Sequence, residues 1–222
     1  MRTEPRQLLT AAGASGLAAL AITIFVAWHG TPIPGDVSVI REFQGWSALQ
    51  RNEGWINPLG NMEVQLPLLA MAIALATFGT RAGFPDVTPR QRLEAIAILS
   101  AAFALRFLTG PLKEVARAER PAGFNLHVAR DFSGYGFPSG HVYSDVLVFG
   151  VLAFVAPLLF GRLLGSGVRV ACLAIIVLAG PARMVVGAHW PSDVAGGYLW
   201  GFAALCLAVA AGQHFARRLE LR

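Results

Sequence analysis

Cysteine and charge are both scarce in this chain. Its two cysteines, Cys172 and Cys206, lie inside apolar runs with no second Cys or His at ligand spacing, which argues against a disulfide framework or a cysteine-bound metal. Only 14% of the 222 residues are charged, against about 25% in ordinary soluble domains. Hydrophobic residues make up 55%, and mean hydropathy is +0.55. The chain is therefore read as an integral membrane protein. No basic stretch is interleaved with aromatics, as a nucleic-acid groove would need. The formal charge of +5 suits cytoplasmic loops and anionic lipid headgroups instead. Low-complexity segments are lacking, and so are internal repeats beyond two short polar stretches, PSGHVYSD at 138–145 and GAHWPSD at 187–193.

What is there in abundance is apolar length. Six segments, at about 8–28, 62–79, 93–110, 142–160, 168–188 and 194–212, are each near the roughly 20 residues that a bilayer span requires. Open strands cannot survive in lipid, so all six are expected to be helices, and their Ala, Gly and Leu content suits close packing. The expected fold is an all-α integral membrane protein: one six-helix bundle over residues 1–222, with its site at the outer membrane face. The first run follows Arg2 and Arg6 like a secretory signal, but no A-x-A-like site precedes Trp28, so it is expected to stay as an uncleaved span.

With a cytoplasmic N-terminus, Arg2, Arg6, Arg81, Arg90, Arg92, Arg162, Arg169, Arg217, Arg218 and Arg222 fall inside. Arg41, Arg51, Lys113, Arg117, Arg120, Arg130 and Arg183 fall outside, on longer loops. Basic density thus predicts inside termini, and three polar clusters then share the outer face of the cell membrane.

The first cluster is KEVARAERP, 113–121. Lys113 and Arg120 are seven apart, so a helix continuing from the third span would show both on one face and end at Pro121. Two cations on one face suit a polyanion; taken alone, they also suit an interfacial helix whose cations reach headgroups. The second is FPSGH, 137–141, where Ser139 is a good N-cap and Gly140 allows close backbone approach. An oxyanion is a natural guest at such a helix start, and a plain N-cap is the simpler reading. The third is ARMVVGAHWPSD, 182–193. Arg183 precedes His189 by six residues and Asp193 follows it by four, so the carboxylate can hold one imidazole nitrogen and make the other a better base or nucleophile. His141 also has a carboxylate four residues on, Asp145, so spacing does not choose between the two histidines.

These blocks, K-x6-R-P, P-S-G-H and R-x5-H-x3-D in order, resemble the type 2 phosphatidic acid phosphatase family over about residues 93–212. The resemblance implies a six-helix lipid phosphatase that uses no metal or cofactor. His189 would form a phosphohistidine oriented by Asp193. His141 would be general acid and then general base. Lys113, Arg120, Arg183, Ser139 and Gly140 would bind phosphate. Implied substrates are membrane lipid phosphates: undecaprenyl diphosphate, phosphatidylglycerophosphate, phosphatidate or lipid A phosphates. No obligate protein partner is expected.

One departure is Ala182, where the family carries Ser before the Arg of the third block. Asp145 is read as favourable charge in the first turn of its helix, with tuning of His141 as the alternative. Arg106, inside the third span, is read as pairing with a buried acid or carbonyl in preference to substrate. The loop holding His127 is a candidate lid, and Trp46, Trp55, Trp190 and Trp200 are read as interface anchors. Two other functions compete: a vanadate-dependent peroxidase with a similar site, and a lipid-phosphate binder or transporter without catalysis.

Overall fold

The computed structural model describes residues 4–79 and 87–220. Arg2, Arg81 and Arg222, used above in the charge argument, lie outside them. In chain order the helices are α1 Pro5–His29, α2 Asp36–Gln44, α3 Ser47–Ile56, α4 Met62–Phe78, α5 Pro89–Leu105, α6 Thr109–Ala116, α7 Gly140–Val185 and α8 Pro191–Glu220. Short 3-10 turns occupy Asn57–Gly60 and Arg106–Leu108. No strand occurs among the described residues.

By length and apolarity, four helical stretches can cross a membrane: Pro5–His29, Pro89–Ala116, Gly140–Val185 and Pro191–Leu219. A fifth is the pair Gly54–Gly60 and Met62–Phe78, bent by 64°. These numbers take α7 as one helix. Straight, its 46 residues would run about 69 Å, over twice the hydrocarbon thickness of roughly 30 Å. It folds back at Gly161, whose φ of 75° and ψ of 177° break the helix in a region that glycine enters without a Cβ penalty. The two arms pack against each other: Arg169 Nε donates to the Ala153 carbonyl at 3.1 Å, and Cys172 packs with Phe149 and Ala153. Cys172 and Cys206 are both free thiols.

Two outer helices, α2 and α3, were not expected from the apolar pattern. Their sequences are polar on one side, and α2 buries Asp36 and Ile40 against the bundle. Asp36 accepts from the Ser192 N–H (2.9 Å), the Ser192 hydroxyl (2.8 Å) and the Ile33 N–H (3.0 Å). It thus satisfies one of the N–H groups that the start of α8 leaves without a helical acceptor. Replacing Asp36 with alanine strips a buried, charge-assisted cap from the helix that follows His189. The expected loss is on the order of 3 kcal/mol, read as a lower thermal midpoint in detergent; an unchanged midpoint would show that Ser192 finds another acceptor.

Small residues bring the bundle close. Gly197 and Gly201, one turn apart on α8, leave no room for a Cβ against Ser139, Val142, Tyr143 and Val146 at the start of α7. This small-xxx-small contact holds the N-terminal ends of α7 and α8 together, and with them the second and third motif blocks. A direct bond joins the two ends: the Ser139 N–H donates to the Asp193 carbonyl at 2.9 Å. Below this end lies an apolar core of Leu69, Leu99, Tyr143, Leu147, Val151 and Ala208.

Candidate active site

The sequence spacing predicts Lys113 and Arg120 on one helix. In the structure α6 stops at Ala116, because Arg117 turns left-handed (φ 47°) and returns its N–H to the Lys113 carbonyl at 2.9 Å. Arg120 therefore reaches the site from irregular backbone. Its guanidinium donates to the carbonyls of Gly134 (2.9 Å), Ser133 (3.2 Å) and Ala188 (2.7 Å), and to His189 Nε2 (3.2 Å). The Lys113 ammonium donates to the Tyr135 and Gly136 carbonyls. None of these bonds runs to a carboxylate, so neither cation is already bonded to an anionic side chain. Arg183, at the end of the second arm of α7, donates to Asn57 Oδ1 at 2.9 Å. Phe132 gathers three guanidinium groups over its ring, those of Arg130, Arg183 and Arg120 at 5.2, 5.5 and 5.7 Å.

His189 lies in the turn between α7 and α8 and is almost fully buried. Its Nδ1 faces Asp193 Oδ2 at 3.2 Å. A guanidinium only donates, so Arg120 requires a lone pair on Nε2, while the carboxylate requires a proton on Nδ1. Both neighbours select one tautomer, with Nε2 as the basic nitrogen. Burial first, then the charges of Arg120, Arg183, Lys113 and His141, hold the pKa of His189 well below the usual 6.5. The imidazole thus stays neutral to lower pH than a free histidine. In a 15N NMR titration, the His189 ring is expected to keep neutral-imidazole shifts to lower pH than a free histidine; protonation near 6.5 would contradict this environment. Burial also lowers the pKa of Arg120, partly offset by Asp193.

Lys113, Arg120, Arg183, Gly140, His141 and His189 line one cavity of about 330 Å³, together with Arg130, Asp131, Phe132 and Ser133. Six of the residues singled out from three separate motif blocks meet there. Asp193 stands behind His189, its Oδ2 also receiving the Trp190 N–H at 3.0 Å. Ser139 is at the N-cap position, but its hydroxyl makes no cap bond and finds no partner among the described residues although buried. Among the described residues no group of three or more His, Cys, Asp or Glu is placed to hold a metal ion.

Several side chains sit elsewhere than their spacing suggests. Asp145 does not bond His141; one helical turn further along α7, its Oδ1 accepts from Gln65 Nε2 of α4 at 2.7 Å. Arg106 donates to Gln65 Oε1 (3.0 Å) and the Gly60 carbonyl (3.4 Å), so it joins Asp145 through Gln65 in a buried network outside the cavity. His127 does not line the cavity; its backbone is held on both sides by the Gln44 amide, at 2.6 and 3.0 Å. Trp190 is buried, packed with Val142 and Met184 and donating to the Glu119 carbonyl at 3.1 Å, and so is not an interface anchor. Trp46 and Trp55 are exposed, and Trp200 donates to Thr23 Oγ1 at 3.1 Å.

Sequence reading missed Asn57 and Asn61. Asn61 Oδ1 lies 3.0 Å from His141 Nε2, and a Cβ on the intervening Gly60 would collide with the His141 ring. The only local signal was two amides four residues apart in NPLGN, just before an apolar run.

Comparison with known proteins places this geometry. The family model of the PAP2 superfamily matches residues 94–217. Decaprenylphosphoryl-5-phosphoribose phosphatase of Mycobacterium tuberculosis, from strains CDC 1551 and H37Rv alike, is 31% identical over 133 residues, covering 59% of this chain and 69% of the relative. The fold is similar to the crystal structure of a transmembrane PAP2 type phosphatidylglycerolphosphate phosphatase from Bacillus subtilis. That similarity has a TM-score of 0.73 and 22% identity over 94% of this chain and 96% of the other.

Proposed function

The chain belongs to the PAP2 superfamily and is a phosphoric ester hydrolase, and from that premise we propose that it dephosphorylates a lipid phosphomonoester or diphosphate through a phosphohistidine at His189. The observation that carries this reading is the single cavity in which Lys113, Arg120, Arg183, His141 and His189 converge, with the Asp193 carboxylate on the far nitrogen of His189.

The cations and the start of α7 hold the equatorial phosphate oxygens, where charge develops in the transition state. His189 Nε2 attacks phosphorus, the P–O bond to the lipid breaks, and protonated His141 gives its proton to the departing oxygen. The Asp193 carboxylate stabilises the positive charge that His189 acquires. Water then attacks phosphorus as His141 takes a proton from it, the P–N bond breaks with its electron pair returning to Nε2, inorganic phosphate leaves, and neutral His189 returns. Apolar helices surrounding the site let a lipid substrate approach sideways from the bilayer. On the distribution of basic residues, both termini are cytoplasmic and the cavity faces the exterior or periplasm.

The test is release of inorganic phosphate by the purified protein in detergent with EDTA. The substrates are undecaprenyl diphosphate, phosphatidylglycerophosphate, phosphatidate and a lipid A phosphate. Release from at least one supports the reading, and the order of rates ranks the substrate classes. Binding of these lipids without release would overturn it in favour of a non-catalytic carrier.

A further inference from the structure

Asn61 stands at the N-cap position of α4, where an asparagine side chain normally accepts an N–H from the first turn of its own helix. Here it makes no cap bond. The Val64 N–H, one of the usual donors, goes to the Asn61 backbone carbonyl at 3.2 Å instead. The side-chain Oδ1 lies 3.0 Å from His141 Nε2, and no other hydrogen bond reaches the His141 ring from the described residues. A favourable local use of the amide is thus given up for a contact 80 positions away, made from a segment outside the region that the family model matches.

The ring of His141 is held along one edge. A Cβ on Gly60 would collide with its Cδ2, Cγ and Cβ, so that edge is pressed on Gly60 while Nε2 points to Asn61. The turn that makes both contacts is fixed in place: Gln65 donates to Asp145 of α7 at 2.7 Å, and the Gly60 carbonyl accepts from Arg106 at 3.4 Å and from Ser144 Oγ at 3.5 Å. What stays open is the opposite edge, with Nδ1, toward the cavity that His141 lines together with Lys113, Arg120 and Arg183. We propose that Asn61 is the positioning residue of His141: its oxygen holds the Nε2–H, so that Nδ1 is the nitrogen that gives a proton to the leaving oxygen and later takes one from water. This assignment rests on the phosphatase reading above and adds a residue to it.

The protonation states of the cycle select the amide oxygen over the amide nitrogen. An imidazolium carries a proton on both ring nitrogens, so the general-acid form of His141 would meet an NH2 group donor against donor. Oδ1 accepts the Nε2–H in the cationic and the neutral form alike. It therefore keeps the ring in one orientation and gives the neutral form a lone pair on Nδ1. An uncharged acceptor also suits a residue that loses its proton in one half of the cycle and regains it in the other, because it favours neither state as strongly as a carboxylate would. His189 has the other need: it becomes cationic in the intermediate, and a carboxylate, that of Asp193, faces its Nδ1 at 3.2 Å. The two histidines thus turn opposite nitrogens to the phosphate, Nε2 from His189 and Nδ1 from His141.

The test uses two amphiphilic phosphates with the same dodecyl tail, assayed in detergent with EDTA. One is a benzyl phosphate, whose leaving group is a strongly basic alkoxide that needs a proton. The other is a nitrophenyl phosphate, whose leaving group is a stabilised phenolate that does not. The ratio of kcat/KM on the two reads general-acid catalysis of P–O cleavage, and a defect in folding or phosphate binding leaves it unmoved. In Asn61→Ala the ratio of benzyl to nitrophenyl ester is expected to fall by about tenfold or more, as a positioned general acid contributes roughly 10²- to 10⁴-fold. Asn61→Asp keeps an acceptor in the same place and is expected to bring the ratio back to within about threefold of the wild type. A 15N NMR spectrum of the wild type reads the tautomer directly, with the proton of neutral His141 expected on Nε2; Asn61→Ala should populate both tautomers. An unchanged ratio in Asn61→Ala, no recovery with aspartate, or an Nδ1–H tautomer in the wild type would overturn the assignment and leave the phosphatase reading standing. Absence of release from either ester by the wild type would overturn the phosphatase reading, and with it the role given to Nδ1.

Discussion

Replacing His189 with alanine is expected to lower phosphate release by on the order of 10³-fold or more, the scale seen when a covalent nucleophile is removed. The covalent phosphoprotein formed by the wild type from a labelled lipid phosphate should disappear with it. Binding should largely survive, because Lys113 and Arg120 are anchored to the carbonyls of Tyr135, Gly136, Ser133, Gly134 and Ala188 independently of the imidazole. The variant loses one acceptor of Arg120, at 3.2 Å, and opens a small space beside the phosphate. Competitive inhibition by inorganic phosphate should therefore shift only a few-fold while the rate collapses. A His189→Ala protein that still turns over near the wild-type rate would remove His189 as nucleophile and turn attention to His141.

The second large effect separates two things that Asp193 does. Its Oδ2 accepts both the His189 Nδ1–H and the Trp190 N–H, while its Oδ1 has no partner among the described residues. In Asp193→Asn, an NH2 group at the Oδ2 position would face the Trp190 N–H, donor against donor. The amide therefore keeps its oxygen there, and the His189 tautomer is retained. What is lost is the negative charge that stabilises the cationic imidazole of the intermediate. Loss of one charge-assisted hydrogen bond, about 1.5–3 kcal/mol, corresponds to roughly 10- to 150-fold in rate. Asp193→Ala loses charge and tautomer control together and should cost on the order of 10³- to 10⁴-fold, as removal of an orienting carboxylate from a hydrolase triad does. The ordering is the diagnostic result. If asparagine were as damaging as alanine, the charge of Asp193 would carry its effect and its choice of tautomer would count for little.

Much of this arrangement was legible in the sequence, and the parts that were not share a physical cause. Apolar length marked the membrane helices, and local spacing marked His189 with Asp193, because a carboxylate four residues on, with Pro191 starting a helix between them, is a short-range relation that a single turn of helix enforces. Local spacing failed where the backbone left the assumed helix. Lys113 and Arg120 converge on the same cavity, but through a left-handed residue at Arg117 that ends α6 four residues sooner than Pro121 would. It failed again for Asp145, since i to i+4 spacing says which turn a carboxylate occupies and nothing about which neighbouring helix it meets.

By itself, then, the sequence determined the all-helical membrane character and the three polar blocks with their chemical types, because hydrophobic period, composition and residues a few positions apart are local properties. Only the tertiary structure decided that Asn61 reaches His141, that Asn57 holds Arg183, that Asp36 caps α8, and that Phe132 collects three guanidinium groups. The first three join residues 80, 126 and 156 positions apart. Such partners carry no mark in the chain, since any polar side chain on the right loop can serve, and which one does is settled by how closely Gly197 and Gly201 let α8 approach α7 and by where Gly161 turns the longest helix back on itself.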